Sequence, residues 1–221
     1  MLLKDYSLAP LRGGKPQRVA VFLHGVGDRG DGGLLAIGQM LQHDFPDCEF
    51  ICPDAPFPYD MAPPEFGGRQ WFSLQSRDAS AIAMGVRAAA PILNAYLDNI
   101  LKNRDLTPDK MALIGFSQGT MMSLYVAPRR SQPIAAVIGY SGCLIDGGSL
   151  QTEKRCSPPI LLVHGLCDDV VPHALMSEAV RELSAAGLAT ETFSCPQLAH
   201  SIDEAGIARG RAFLKQKFIG L

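Results

Sequence analysis

Apolar positions along this chain fall into two rhythms. Six strand-length runs, most of them apolar at nearly every position, lie at Arg18–His24 (RVAVFLH), Glu49–Cys52, Lys110–Phe116 (KMALIGF), Ala135–Tyr140 (AAVIGY), Ile160–His164 (ILLVH) and Thr190–Ser194 (TETFS). Runs without polar alternation predict strands covered on both faces, as in a parallel sheet. Between them run helix-length segments at about Leu34–Leu41, Ala79–Lys102, Gln118–Val126, Ala174–Ala186 and Ile202–Phe218. Gly187 stands where a C-cap for the 174–186 helix belongs. The alternation predicts an α/β fold: a mostly parallel, doubly wound sheet with helices on both faces and right-handed crossovers. Residues 1–221 read as one domain without internal repeats.

One segment breaks the rhythm. Phe57–Gln75 is rich in proline and glycine and also holds Tyr59, Met61, Phe66, Trp71 and Phe72. A loop of this length in a compact domain points to function, here a substrate lid, against the alternative of a packed surface flap. Phe66, Trp71 and Phe72 are the candidates to line an acyl groove, with core packing an equal alternative for Trp71.

Composition narrows the classes. Charged residues make up 19% of 221 positions and hydrophobic ones 47%, a balance unlike that of disordered chains. The formal net charge of −2 supplies no basic surplus for nucleic acid. It suits a neutral ester or acyl chain better than a strongly anionic substrate. Charges at Lys4 and Asp5 interrupt the stretch where a signal peptide needs its apolar core, and no apolar run reaches the ~18 residues of a membrane span. A cytoplasmic protein without a membrane anchor is expected. The six cysteines form no Cys-x-x-Cys and are expected to be mostly buried, reduced thiols. No His/Cys spacing suggests a metal site.

The chemistry centres on Gly115-Phe116-Ser117-Gln118-Gly119, between a predicted strand and a predicted helix. That context defines a nucleophile elbow, in which a tight turn lifts the serine above the sheet beside a helix N-terminus. The two glycines remove side chains that would clash in the turn. The Gln118 amide then faces a developing oxyanion. A second donor belongs to the first strand–helix loop, His24-Gly25-Val26-Gly27-Asp28, and is assigned to the Val26 amide, with His24 and Asp28 bracing the loop. A base and an acid should follow in the order Ser, Asp, His. Asp168 and Asp169 follow the 160–164 strand, and His200 follows the last strand, so all reach the same sheet edge. Asp168 is preferred, with Asp169 as its competitor. His164 is expected to close its strand, His173 to begin the next helix, and His43 to face solvent. Gly25-Val26-Gly27-Asp28-Arg29-Gly30 also fits G-x-G-x-x-G, with Asp54 about where a ribose-binding acid would sit. A dinucleotide site would leave Ser117, Asp168 and His200 as coincidence, and Gly32-Gly33 delay the helix it needs.

With His24-Gly25-Val26-Gly27-Asp28, Pro53-Asp54-Ala55-Pro56, Trp71-Phe72, the Ser117 pentapeptide, His164 through Pro172 and His200 in place, the chain resembles the phospholipase/carboxylesterase family over nearly its whole length. That family includes acyl-protein thioesterases and small bacterial carboxylesterases. The resemblance implies an α/β-hydrolase fold without a large cap domain, a Ser117–Asp168–His200 triad, and an oxyanion hole from the Val26 and Gln118 amides. It implies no metal and no cofactor. Its substrates would be small-molecule esters, lipids or acyl thioesters, and a homodimer is expected. Three positions depart from the pattern: Thr120 where a further glycine is common, Ser73 where aspartate is usual, and Gln197-Leu198-Ala199 ahead of the histidine.

Overall fold

The computed structural model describes residues 3–219. In chain order its elements are β1 (Asp5–Leu8), β2 (Arg18–Leu23), α1 (Gly33–Leu41), β3 (Cys48–Pro53), β4 (Phe57–Pro58), β5 (Arg69–Gln70), α2 (Ala79–Arg104), β6 (Met111–Phe116), α3 (Gln118–Val126), β7 (Ala136–Tyr140), α4 (Leu150–Glu153), β8 (Ile160–Gly165), α5 (Ala174–Ala185), β9 (Thr190–Cys195) and α6 (Glu204–Leu214). Seven strands form one sheet in the order β1-β3-β2-β6-β7-β8-β9. All neighbours pair in parallel except β1, which runs antiparallel to β3. β4 and β5 make a separate two-residue ribbon inside the 57–75 loop.

Alternate residues of each strand serve opposite faces, as a pleated sheet demands. Val19, Val21 and Leu23 of β2 join Met111 and Leu113 of β6 in a core shared with α2, α3 and α5. Ala20, Phe22, Ala112 and Ile114 face the other way, into a core shared with α1 and α6. Both faces are therefore covered, which is why the strands are apolar throughout.

The predicted elements lie within a few residues of the observed ones. The edge strand β1 was not foreseen. Its residues alternate between exposed and half-buried, so it carries too little apolar pattern to read as a strand. The last helix starts later than expected, at Glu204, because Ser201 and Ile202 belong to the loop that holds His200. Asp203 caps it by accepting from the Gly206 amide at 2.7 Å. Gly187 takes a left-handed φ of 71° just past α5, as its C-cap role requires. The six cysteines are free. Cys48, Cys52 and Cys195 are buried, but Cys143 and Cys156 are half-buried and Cys167 is exposed, which corrects the expectation of mostly buried thiols. Among the described residues no helix is long and apolar enough to cross a membrane.

Candidate active site

The turn from β6 into α3 is built around missing side chains. A Cβ at Gly119 would lie 1.8 Å from the Leu23 carbonyl oxygen, and one at Gly115 would lie 2.5 Å from the backbone of Gly119 and Thr120. These absences let α3 begin against the ends of β2 and β6. Ser117 takes φ 52° and ψ −116°, a conformation costing on the order of 1–3 kcal/mol that the surroundings must hold in place. They do so partly through the Ser117 amide, which donates to the Tyr140 carbonyl at 2.9 Å. Thr120 is fully buried, and its hydroxyl donates to that same carbonyl at 2.8 Å.

The loops after β8 and β9 bring the two other candidates to this point. His200 Nε2 lies 3.0 Å from Ser117 Oγ, and His200 Nδ1 lies 2.8 Å from Asp168 Oδ2. Asp168 Oδ1 accepts from the Val170 and Val171 amides at 3.0 and 2.8 Å. Burial pushes the Asp168 carboxyl up, but the His200 contact and the two amides outweigh it, leaving a net shift below the ordinary value. Asp169 is exposed and makes no hydrogen bond to Ser117 or His200. Ser141, at a positive φ of 46°, ties the end of β7 to the histidine loop through a hydroxyl donation to the Ser201 carbonyl.

The glycine-rich loop after β2 lies directly beside the elbow. A Cβ at Gly25 would stand 3.4 Å from Ser117 Cβ. The Val26 amide donates to no carbonyl among the described residues, and Gln118 is the first residue of α3, where no earlier helical turn supplies an acceptor. His24 braces this loop. It is fully buried, its Nδ1 donates to the Gly25 carbonyl at 2.7 Å, and its Nε2 accepts from the Ala55 amide at 3.0 Å. Asp54, the ribose acid of a dinucleotide reading, is occupied by the Gly30 amide at 2.8 Å.

The aromatic candidates separate. Phe66 is 61% exposed, and its ring lies 6.1 Å from that of Tyr59, which stands against Gly27. Trp71 has no exposed surface, and its Nε1 donates to the His24 carbonyl at 3.0 Å. Its expected part in an acyl groove is therefore corrected: it is core that supports the loop after β2. Phe72 is likewise buried. It packs against Gly85 of α2 and edges a recess of about 440 Å³ bounded by Phe57, Pro58 and Gln70, which Ser117, Asp168 and His200 do not border.

Sequence reasoning missed the side chain of Gln118. Its Oε1 accepts from the Trp71 amide and its Nε2 donates to the Phe72 carbonyl, both at 2.8 Å. One residue thus carries an amide at the elbow and clamps the end of the 57–75 loop. Gln118→Ala is expected to lower stability by about 1–3 kcal/mol for each of the two buried groups left unpaired. Urea unfolding reads this directly, and an unchanged midpoint would contradict the clamp.

The chain matches the model of the phospholipase/carboxylesterase family over residues 11–218. It belongs to that family. Lysophospholipase-like protein 1 of Mus musculus is 27% identical over 218 residues, covering 94% of this chain and 90% of the relative. Acyl-protein thioesterase 1 homolog 1 of Dictyostelium discoideum is 27% identical over 189 residues, 81% of each chain. Among solved structures, esterase PE8 superposes with a TM-score of 0.92 at 33% identity, covering 98% of this chain and 100% of its own. Acyl-protein thioesterase 2 of Zea mays gives 0.74 at 26% identity, covering 97% and 99%. This member of the phospholipase/carboxylesterase family is a hydrolase acting on ester bonds, on an α/β-hydrolase fold.

Burial also sets how this family member responds to acid. Desolvation lowers the pKa of His24 and of His164, against the opposing pull of the Gly25 and Val171 carbonyls. Both rings are neutral in the fold and take up a proton on unfolding once the pH falls below the ordinary value of 6.5. Their contribution is present above that pH and lost below it. The urea midpoint is expected to fall between pH 7 and pH 5, before the depressed Asp168 adds its own loss at lower pH. A midpoint flat over that range would show that neither histidine is held neutral.

Proposed function

We propose that this protein hydrolyses carboxylic esters or thioesters through an acyl-enzyme on Ser117. The observation that carries the reading is the continuous path from Ser117 Oγ to His200 Nε2 at 3.0 Å and from His200 Nδ1 to Asp168 Oδ2 at 2.8 Å. His200 takes the Ser117 proton as Oγ attacks the carbonyl carbon. Asp168 keeps the hydrogen on Nδ1 and stabilises the imidazolium that forms. The Val26 and Gln118 amides receive the oxyanion at the N-terminus of α3, where the helix dipole favours negative charge. His200 then protonates the leaving alcohol or thiol, and a water it activates releases the acid.

Of the three aromatic candidates Phe66 is the exposed one, and its role here is to meet an acyl chain. The names of the relatives, lysophospholipase-like and acyl-protein thioesterase, make lipid esters and acyl thioesters the substrates to try first. The test combines a p-nitrophenyl ester series from acetate to palmitate, matching acyl thioesters, and a fluorophosphonate probe read by peptide mass spectrometry. Turnover together with phosphonylation of Ser117 supports the reading. Turnover with Ser117 unlabelled overturns it.

A further inference from the structure

The proposed mechanism leaves one buried histidine beside the acid unused. His164 is the penultimate residue of β8 and is 2% exposed. Its Nε2 lies 3.1 Å from Asp168 Oδ2 and 2.8 Å from the Val171 carbonyl oxygen. Both neighbours are acceptors with no hydrogen to give, so Nε2 must carry one.

We propose that His164 is a positioning residue for ester hydrolysis: its Nε2–H, donated to the Val171 carbonyl and standing 3.1 Å from Asp168 Oδ2, fixes the carboxylate against His200. The inference rests on the Ser117–His200–Asp168 reading. The two carboxylate oxygens have different settings. Oδ1 accepts from the Val170 and Val171 amides and lies 3.1 Å from His200 Nδ1, whereas Oδ2 takes the shorter His200 contact at 2.8 Å and faces His164. An aspartate carboxylate turns about its terminal torsion in a broad well, so the Nε2 edge of the His164 ring, standing 3.1 Å from Oδ2, limits that turn and keeps the plane where His200 Nδ1 needs it. Val171 is gripped from both sides, its N–H by Oδ1 and its C=O by His164. Loss of His164 therefore loosens the carboxylate and the turn that feeds it amides. The titratable groups acting on the ring are Asp168, from its own loop, and His173, at the start of α5. The His173 ring stands 5.6 Å away at 83°, and its own Nε2 meets Ser194 Oγ of β9 at 2.9 Å. His164 therefore has an edge-on neighbour that leaves its Nε2 side to Asp168.

The test measures kcat and KM on p-nitrophenyl acetate for wild type, His164→Phe and His164→Gln. His164→Phe keeps a ring without the donor, while the amide N–H of His164→Gln reaches toward the same oxygen. His164→Phe is expected to lower kcat about 10–100-fold, the scale of a catalytic group displaced by about an ångström, with KM nearly unchanged. His164→Gln should recover most of the rate. Unchanged kcat in folded His164→Phe overturns the proposal. Equal losses in both variants also overturn it, since a merely structural role gives that pattern. If His164→Phe does not fold by circular dichroism, His164→Leu, which has no side-chain donor, replaces it, with the same two outcomes. Fluorophosphonate labelling separates the two readings. Failure of Ser117 to label in wild type removes the parent mechanism. Wild-type labelling rates in His164→Phe remove this inference alone.

Discussion

Ser117→Ala is expected to lower kcat on any p-nitrophenyl ester by about 10⁶-fold, and His200→Ala by a similar factor. The reason is geometric. The Ser117 hydroxyl and His200 Nε2 face one another at 3.0 Å, and removing either leaves the other without a partner for proton transfer. The two losses should therefore not add. The double variant should be no slower than either single one, since a nucleophile and its base act as a unit. The residue of activity over water would come from substrate binding and the two amides, which both substitutions leave intact. Burst kinetics on a slow ester check this independently, because wild type should show an acyl-enzyme burst and Ser117→Ala none. A Ser117→Ala enzyme retaining more than about a tenth of wild-type kcat would place the chemistry elsewhere.

The second large effect discriminates between adjacent aspartates. Asp168→Asn is expected to cost about 10⁴-fold in kcat with little change in KM. An asparagine can still offer an oxygen to the Val170 and Val171 amides, so the turn survives. Its NH₂ then faces His200 Nδ1, which must present a lone pair instead of a hydrogen. The hydrogen moves to Nε2, opposite Ser117 Oγ, and the base is spent before it acts. Asp169→Asn touches none of these contacts and should stay within about twofold, as exposed polar changes usually do. The reverse ranking would transfer the acid role to Asp169.

The sheet was legible because its central strands are apolar on both faces, and that follows directly from helices covering both sides. β1 was not legible, since an edge strand with one pairing partner needs little apolar pattern. Ser117, Asp168 and His200 could be read because each follows a strand and so reaches the same edge by topology alone. Chain order says nothing about which side chains then meet. Gln118 was seen as an amide, but its side chain grips Trp71 and Phe72, more than forty residues away in sequence. His164 was read as closing its strand, and only the fold shows its Nε2 bonded to the Val171 carbonyl and 3.1 Å from Asp168 Oδ2. Trp71 was drawn toward the lid by its proline- and glycine-rich neighbours. In one dimension, an aromatic residue that plugs the core beneath a loop looks the same as one that lines it.

The closeness of Gly119 to the Leu23 carbonyl has a consequence for how far this site can be reshaped. Leu23 leads straight into the loop that carries Val26, and Gly119 directly follows Gln118. The gap between the two amides proposed to receive the oxyanion is thus gauged by the bare α-carbon of a glycine resting on a carbonyl. Any side chain there would wedge the two donors apart. The proposed hole is therefore of fixed bore, and new substrate preferences must be written in the side chains around it, while the hole itself keeps its width.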